Sequence, residues 1–213
     1  MKLSLLLIFI FASLAVNAAS NIEKGKRAFN LQDYESAAQY FHISANDGDS
    51  YSQRLLGYLY SVGKGVEKNF EVAALWYTKS AVQGDDASQY NLGNMYERGR
   101  GVKKSYQQAL FWYGESAKQG NPRAQFHLAQ LHYQGLGTSK DLAKALFWFK
   151  EAAKDNNAGV QYQIGYMYEQ GEGTAKDIAK AVSWYTKSAK QGEQKAQLRL
   201  TELHSEGISV KQP

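Results

Sequence analysis

Apolar and polar positions along this chain follow a helical period, and the helical pattern itself recurs. Trp76, Trp112, Trp148 and Trp184 stand 36 residues apart. The same step carries Tyr77, Tyr113, Phe149 and Tyr185, and again Ala81, Ala117, Ala153 and Ala189. Gln53, Gln89, Gln125, Gln161 and Gln197 keep the register, as do Gly63, Gly99, Gly135, Gly171 and Gly207, with no insertion from Leu31 to Val210. A repeat of this length predicts stacked supersecondary units rather than one closed globule.

Each unit reads as two helices. Leu92, Met95 and Tyr96 share a face of the first, which stops at Gly99 and Gly101, where glycine reaches the left-handed conformation that closes a helix. The second opens on a short oxygen-bearing side chain, Asp33, Asn69, Ser105, Asp141 or Asp177, able to accept from the free N–H groups of the first turn. Ser105 with Gln108 fits a capping box. The stripe of that helix is Ala109, Trp112, Tyr113, Ser116 and Ala117. It ends at Gly120, and Asn121-Pro122 then supplies N-cap and first helical position to the next unit. Gly57, Gly93 and Gly165 inside first helices each cost about 1 kcal/mol relative to alanine. They predict close approach of the partner helix's Trp/Tyr ridge, and Ala129 and Thr201 keep the position small elsewhere. One unit cannot bury both its apolar faces, so units must stack and the aromatics are mostly core.

The small-residue/Leu-Gly-x-x-Tyr first helix, the Gly-x-Gly-Val loop, the capping Asp followed by Ala, and Trp-Tyr-x-x-x-Ala together resemble the Sel-one-like repeat, the longer-looped relative of the tetratricopeptide repeat. Ser88 to Gly120 carries nearly all of this signature. The resemblance implies an all-α fold, a right-handed α-α superhelical solenoid of about eleven helices, arranged as five hairpins and a lone capping helix. The first unit, with Gly25, Tyr34, Ala37 and Phe41, looks more like an ordinary tetratricopeptide repeat, because Gly25 to Gly57 is 32 residues rather than 36. The expected division is one solenoid over 19–213: a short repeat at 19–48, full repeats at 49–84, 85–120, 121–156 and 157–192, and a half-repeat at 193–213. Glu193, Glu202 and Glu206 give that last helix the polar exterior of a cap.

The N-terminus carries a different signal. Lys2, an apolar run from Leu3 to Leu14, and Val16-Asn17-Ala18 read as a signal peptide over 1–18, cleaved after Ala18 or, alternatively, after Ala19. The run is too short to span a bilayer comfortably. A periplasmic or secreted location is therefore expected. The chain has no cysteine, which excludes disulfides, thiol chemistry and a lipid-modified cysteine, so the fold must hold by packing alone. It also lacks Asn-X-Ser/Thr sequons, which together with the missing cysteine favours a bacterial envelope.

Charge adds little chemistry. The net charge is +5, and the basic excess lies in the C-terminal half as single lysines, Lys118, Lys144, Lys150, Lys154, Lys180, Lys187 and Lys190. Dispersed lysines on helices make a solvated face, so no nucleic-acid partner is expected. The histidines are His42, His127, His132 and His204. His132 and His204 occupy the register of Tyr60, Tyr96 and Tyr168 and read as core or boundary residues, while His127 is expected to point into the groove. No metal signature, phosphate-cradling loop or nucleophile elbow is present, and the Gly-x-Gly turns join helix to helix. No catalytic residue, cofactor or metal is expected.

The resemblance places first helices on a concave surface. The positions facing it are Tyr51, Arg54 and Tyr58, then Tyr90 and Asn94, Arg123, Phe126 and Gln130, and Tyr162 and Tyr166. Tyr51, Tyr58 and Tyr166 are expected to be open to a partner. For Tyr90, Phe126 and Tyr162, groove-facing and wall-packed placements stay open. Aromatic side chains in a groove supply rigid contact area, so the leading expectation is a non-enzymatic scaffold or adaptor of the bacterial envelope, a monomer that docks a protein or peptide. The alternative is a periplasmic immunity protein neutralising a secreted effector, such as a type VI secretion lipase or wall hydrolase, because some secreted proteins with this repeat look like such factors. A third reading is a peptidoglycan- or β-lactam-processing enzyme. It borrows from cysteine-rich relatives whose disulfide framework is absent here.

Overall fold

Short polar side chains set where each helix begins. Asp33, Asn69, Ser105, Asp141 and Asp177 are the N-caps of the second helices, and each side chain accepts from a first-turn N–H. Gly63, Gly99, Gly135 and Gly171 close first helices in the left-handed conformation. The structure, a computed structural model, describes residues 21–208. The segment read as a signal peptide lies outside the described residues, as does Val210. Eleven α-helices occur among the described residues: α1 (21–30), α2 (Tyr34–Asn46), α3 (Ser50–Val62), α4 (Phe70–Ala81), α5 (Asp86–Arg98), α6 (Tyr106–Lys118), α7 (Pro122–Gln134), α8 (Leu142–Ala152), α9 (Ala158–Gln170), α10 (Ile178–Ala189) and α11 (Gln194–Ser205). No strand is found among them. Odd-numbered helices are first helices and even-numbered ones second helices. The short first loop holds Gln32 at φ 61°, a left-handed residue without glycine's freedom.

The described residues divide into two compact units, which meet between Lys104 and Ser105 in the sequence. In the first, Ala37, Phe41, Leu56, Leu59 and Trp76 form the buried core. In the second, Phe149, Ile164, Met167, Tyr185, Leu200 and Leu203 do. Within each, consecutive helices pack as antiparallel hairpins.

Two devices repeat. The second glycine of each loop lies against the start of the preceding second helix: a Cβ on Gly65 would meet the Tyr34 carbonyl carbon at 2.2 Å, and one on Gly101 the Phe70 carbonyl oxygen at 2.1 Å. In the second unit Gly173 stands the same way over Leu142, at 2.1 Å. The register glutamines are the other device. The Gln53, Gln89, Gln125 and Gln197 amides donate to the carbonyls of Ala45, Ala81, Ala117 and Ala189 at 3.0–3.2 Å. These acceptors belong to the last turn of the preceding second helix, whose carbonyls lack helical partners. Gln161 departs from the rule. Its amide donates instead to Asn156 Oδ1 at 3.0 Å, because the chain there makes a 3₁₀ turn, Ala153–Asp155, with Asn156 left-handed at φ 57°.

The close-approach expectation holds at Gly57 and Gly165, where the tyrosine of the Trp/Tyr ridge makes the contact. The ring over Gly57 is Tyr77 and the ring over Gly165 is Tyr185, each so near that a Cβ would stand 2.7 Å from a ring carbon. Phe41 covers Gly25 in the same manner. Tyr77, Tyr113, Phe149 and Tyr185 are thus the buried mortar, at 0–3 % exposure. Trp76 is buried too, but Trp112, Trp148 and Trp184 are half-buried, so the tryptophan row is less central than its regularity suggests. One residue's rotation on the helix, 100°, separates the two roles.

Candidate functional site

Helical spacing brings the proposed contact residues to one side of each first helix. On α3, Tyr51, Arg54 and Tyr58 succeed one another at i, i+3 and i+7, a single stripe. All three are half-buried. The Tyr51 ring packs edge-on to Phe41 at 6.3 Å and lies between two cations, Lys26 Nζ at 5.1 Å and the Arg54 guanidinium at 5.0 Å. Arg54 Nε donates to Asp85 Oδ2 at 3.1 Å, tying α3 to the N-cap of α5. Tyr58 meets Phe29 of α1 at 6.1 Å. Tyr90 and Asn94 on α5 are half-buried. Lys26 is itself paired with Glu23 at 2.8 Å, so the face of the first unit is aromatic with an ion-paired edge.

In the second unit Arg123 is exposed, while Phe126 and Gln130 are half-buried. Phe126 leans on Phe149 at 6.0 Å. Tyr162 leans on Tyr185 at 5.4 Å, and burial, then the nearby Glu169, pushes its phenol pKa up. Tyr166 is 36 % exposed. Tyr133, on the same helix as Phe126, donates to Glu172 Oε2 at 2.7 Å, and burial with that hydrogen bond raises its pKa to about 12. Of the three tyrosines expected to stand open, only Tyr166 does. Tyr51 and Tyr58 are packed against the core with their edges showing, as are Phe126 and Tyr162.

The histidines are placed by packing. His132 is buried, as its tyrosine register requires, but His204 at the equivalent place on α11 is exposed. His127 is half-buried and stacks on Tyr113 at 5.0 Å and 18°. Its ring thus belongs to the packing, not to an open groove. His42 shares a hydrogen bond with Tyr60 Oη at 3.0 Å, a partner no spacing rule pointed to. Burial holds the pKa of His42 down. Burial, then Lys144, does the same to His132. A histidine depressed in the folded state stabilises fully above its unfolded value, about 6.5, and that stability is lost as pH falls through the folded value. Urea midpoints are therefore expected to drop between pH 7.5 and 5.5, and His42→Gln with His132→Gln to flatten the drop. A wild-type midpoint that rises over this range contradicts the assignment.

Sequence reasoning passed over two features. Phe111 and Phe147, each 54 % exposed, lie off the buried stripe, immediately before a tryptophan. Glu169 is a carboxylate at 6 % exposure. The register could have flagged the first, since Leu75 repeats the apolar character at the same step. Nothing in local spacing signals the second. Among the described residues no group of three acidic, histidine or cysteine side chains is placed to hold a metal, and no helix is long and apolar enough to cross a membrane.

Stacked 36-residue helical hairpins with glycine-closed first helices define the class: a helical-repeat protein of the tetratricopeptide-like kind. The Sel1 repeat profile matches residues 24–49, 50–85, 86–121, 122–157 and 158–193, and the chain belongs to the Sel1-repeat family. The structure is similar to that of c5321, a protective antigen of uropathogenic Escherichia coli with an SLR fold, at TM-score 0.88 and 28% identity over 95% of this chain. It is also similar to a Sel1 repeat protein from Oxalobacter formigenes, at TM-score 0.82 and 36% identity over 88% of this chain. A putative sel1 repeat protein from Klebsiella pneumoniae shares the fold alone, at TM-score 0.53 and 18% identity, with 91% of this chain and 96% of that one covered. The chain spans 44% of the Escherichia coli protein and 78% of the Oxalobacter one. No curated protein matches it. Sel1 repeats are generally non-enzymatic scaffolds that mediate protein–protein interaction.

Proposed function

We propose that the protein is an exported, non-enzymatic scaffold of the bacterial envelope that docks a protein or peptide partner on the faces of its first helices. The observation that supports this is the repeated half-buried ring on those faces. Tyr51 and Tyr58 on α3, and Phe126 and Tyr162 on α7 and α9, are anchored against the core yet keep an edge free. Rings held this way lose little conformational freedom on binding, which is why such residues dominate interface energetics. A location outside the cytoplasm rests on the N-terminal apolar run and the absence of cysteine.

The test is affinity capture from the organism's own envelope fraction, with mass spectrometry, using wild type alongside Tyr51→Ala/Tyr58→Ala and Tyr162→Ala/Tyr166→Ala. At least one pair is expected to lower recovery of the principal partner about tenfold or more, the scale of one interface hot spot, with helical content unchanged. Both pairs retaining the partner at wild-type affinity would move the site elsewhere. Recovery of the protein only from cytoplasm would remove the export component.

A further inference from the structure

The loops of the first unit carry charge that the fold does not need. Each Gly-x-Gly turn there has a cation at its middle position, Lys64 after α3 and Arg100 after α5, and a lysine four residues on, Lys68 and Lys104. Arg98 and Lys103 flank the second turn. The glycines fix where these side chains start, because Gly65 lies against the Tyr34 carbonyl and Gly101 against that of Phe70. Lys64 Nζ stands 4.6 Å over the Tyr34 ring and donates to its hydroxyl at 3.3 Å. Lys68 Nζ, at 4.9 Å, and the Arg100 guanidinium, at 5.7 Å, share the Phe70 ring. Two cations from consecutive loops are thus gathered at one ring, within about a Debye length of each other, roughly 10 Å. Lys64, Lys68, Arg98, Arg100 and Lys103 are exposed and form no ion pair among the described residues, although Glu67 and Glu71 belong to the same stretch. Lys154 and Lys180 of the second unit differ, since each is bridged to a carboxylate at 2.7–2.8 Å.

The second unit shows that these charges are not structural. At the step of Lys64 and Arg100 it has Leu136 and Glu172, and Gly137 and Gly173 seat those loops in the same way. We propose that the loop edge of the first unit binds an acidic, extended segment of a protein partner, whose carboxylates meet Lys64, Lys68, Arg98, Arg100 and Lys103. Like charges held this close repel one another, and an anion laid across them offsets that repulsion. The arginine forks match carboxylates in a bidentate manner, while the lysines act as point charges. Charge selects an anion, and the rings select its kind. Tyr34 and Phe70 are half-buried and already taken up by cations, so neither is free to enter lipid or to stack on a base. A protein occupant also accords with the scaffolding role general to Sel1 repeats. None of these residues is among the rings of the first-helix docking face, so either surface can fail without the other.

The experiment is fluorescence anisotropy of a labelled, capped peptide of about ten glutamates, kept extended by its own repulsion, titrated with the full chain. Wild type is compared with Lys64→Gln/Arg100→Gln and with Arg98→Gln/Lys103→Gln. Lys154→Gln/Lys180→Gln, in the same N-terminal form, serves as a control with the same change in net charge. Each loop pair is expected to weaken binding about tenfold or more, the effect of losing two charge-assisted contacts, with unchanged circular dichroism. The control pair is expected to weaken it about twofold or less, and added salt to weaken wild-type binding. A single-stranded oligonucleotide of similar length and phosphatidylglycerol vesicles, used as competitors, are expected to displace the peptide poorly. No binding of the peptide, or equal weakening by the control pair, overturns the proposal. So does tighter binding of the oligonucleotide or the vesicles through the same residues, since the occupant would then be a nucleic acid or a membrane.

Discussion

Gly173→Ala is expected to destabilise the second unit by about 3 kcal/mol or more, three times the effect of Gly192→Ala. Both glycines have positive φ, +70° and +86°, so both substitutions carry the left-handed strain of an L-residue, about 1–2 kcal/mol. Both also gain slightly from a stiffer unfolded chain, about 0.4–1 kcal/mol. They differ in what the new methyl meets. At Gly192 there is nothing within 4 Å. At Gly173 the methyl would stand 2.1 Å from the Leu142 carbonyl oxygen, 2.4 Å from its carbon and 2.8 Å from the Ala143 nitrogen. Those are backbone atoms in the first turn of α8 and cannot rotate away. The loop must lift off the helix start, and overpacking of this kind typically costs 1–3 kcal/mol beyond the strain. Urea denaturation of the two variants measures the gap directly. Equal losses would mean that the loop is a mere connector and not a packing element.

Helix number, helix starts and helix ends were legible in the sequence because each depends on local chemistry. An Asp, Asn or Ser at the N-cap and a Gly at the C-cap act within one turn, and Asp33, Asn69, Ser105, Asp141 and Asp177 cap as their spacing predicts. What spacing could not rank was depth. Trp112 and Tyr113 are neighbours in a stripe, and only the direction of the partner helix decides that Tyr113 is fully buried while Trp112 keeps an exposed edge. The same blindness affected the docking face. Tyr51 and Tyr58 look outward by helical phase, yet Phe41 and Phe29 close over part of each ring. The glutamine row was visible as a register without a reason. Its reason is a hydrogen bond to a carbonyl eight residues back, across a turn, which no helical periodicity contains. Long-range polar pairing was the least legible of all. Glu169 and Arg199 are 30 residues apart on different helices, and neither position repeats its charge at every step.

That pair supports the second large effect: Arg199→Met is expected to cost about 3–5 kcal/mol at neutral pH, the usual consequence of stranding a buried charge. The Glu169 carboxylate accepts from Arg199 Nε at 3.0 Å, from Arg199 Nη2, and from the Tyr185 hydroxyl at 2.7 Å. Arg199 also donates to Glu202 Oε2 at 2.7 Å and Glu206 Oε1 at 3.1 Å, so one guanidinium on α11 gathers three carboxylates. Burial pushes the Glu169 pKa up, but the hydrogen bonds from Arg199 and Tyr185 outweigh it and hold the carboxyl below its ordinary range. A carboxylate depressed in the folded state contributes stability above its unfolded value, about 4.3, and loses it as pH falls through the folded value. Removing Arg199 leaves burial dominant and reverses the sign. Glu169 then takes up a proton more readily folded than unfolded, so the gap between variant and wild type narrows as pH is lowered from 7 towards 4.5. Glu169→Gln added to Arg199→Met removes the stranded charge and is expected to recover most of the loss at pH 7, because an amide can still accept from Tyr185. Denaturation at several pH values for the single and double variants reads both effects. A single variant whose deficit stays constant with pH, or a double variant no more stable than the single one, would show that α11 is held by its apolar contacts, Leu200 and Leu203, and not by this charge cluster.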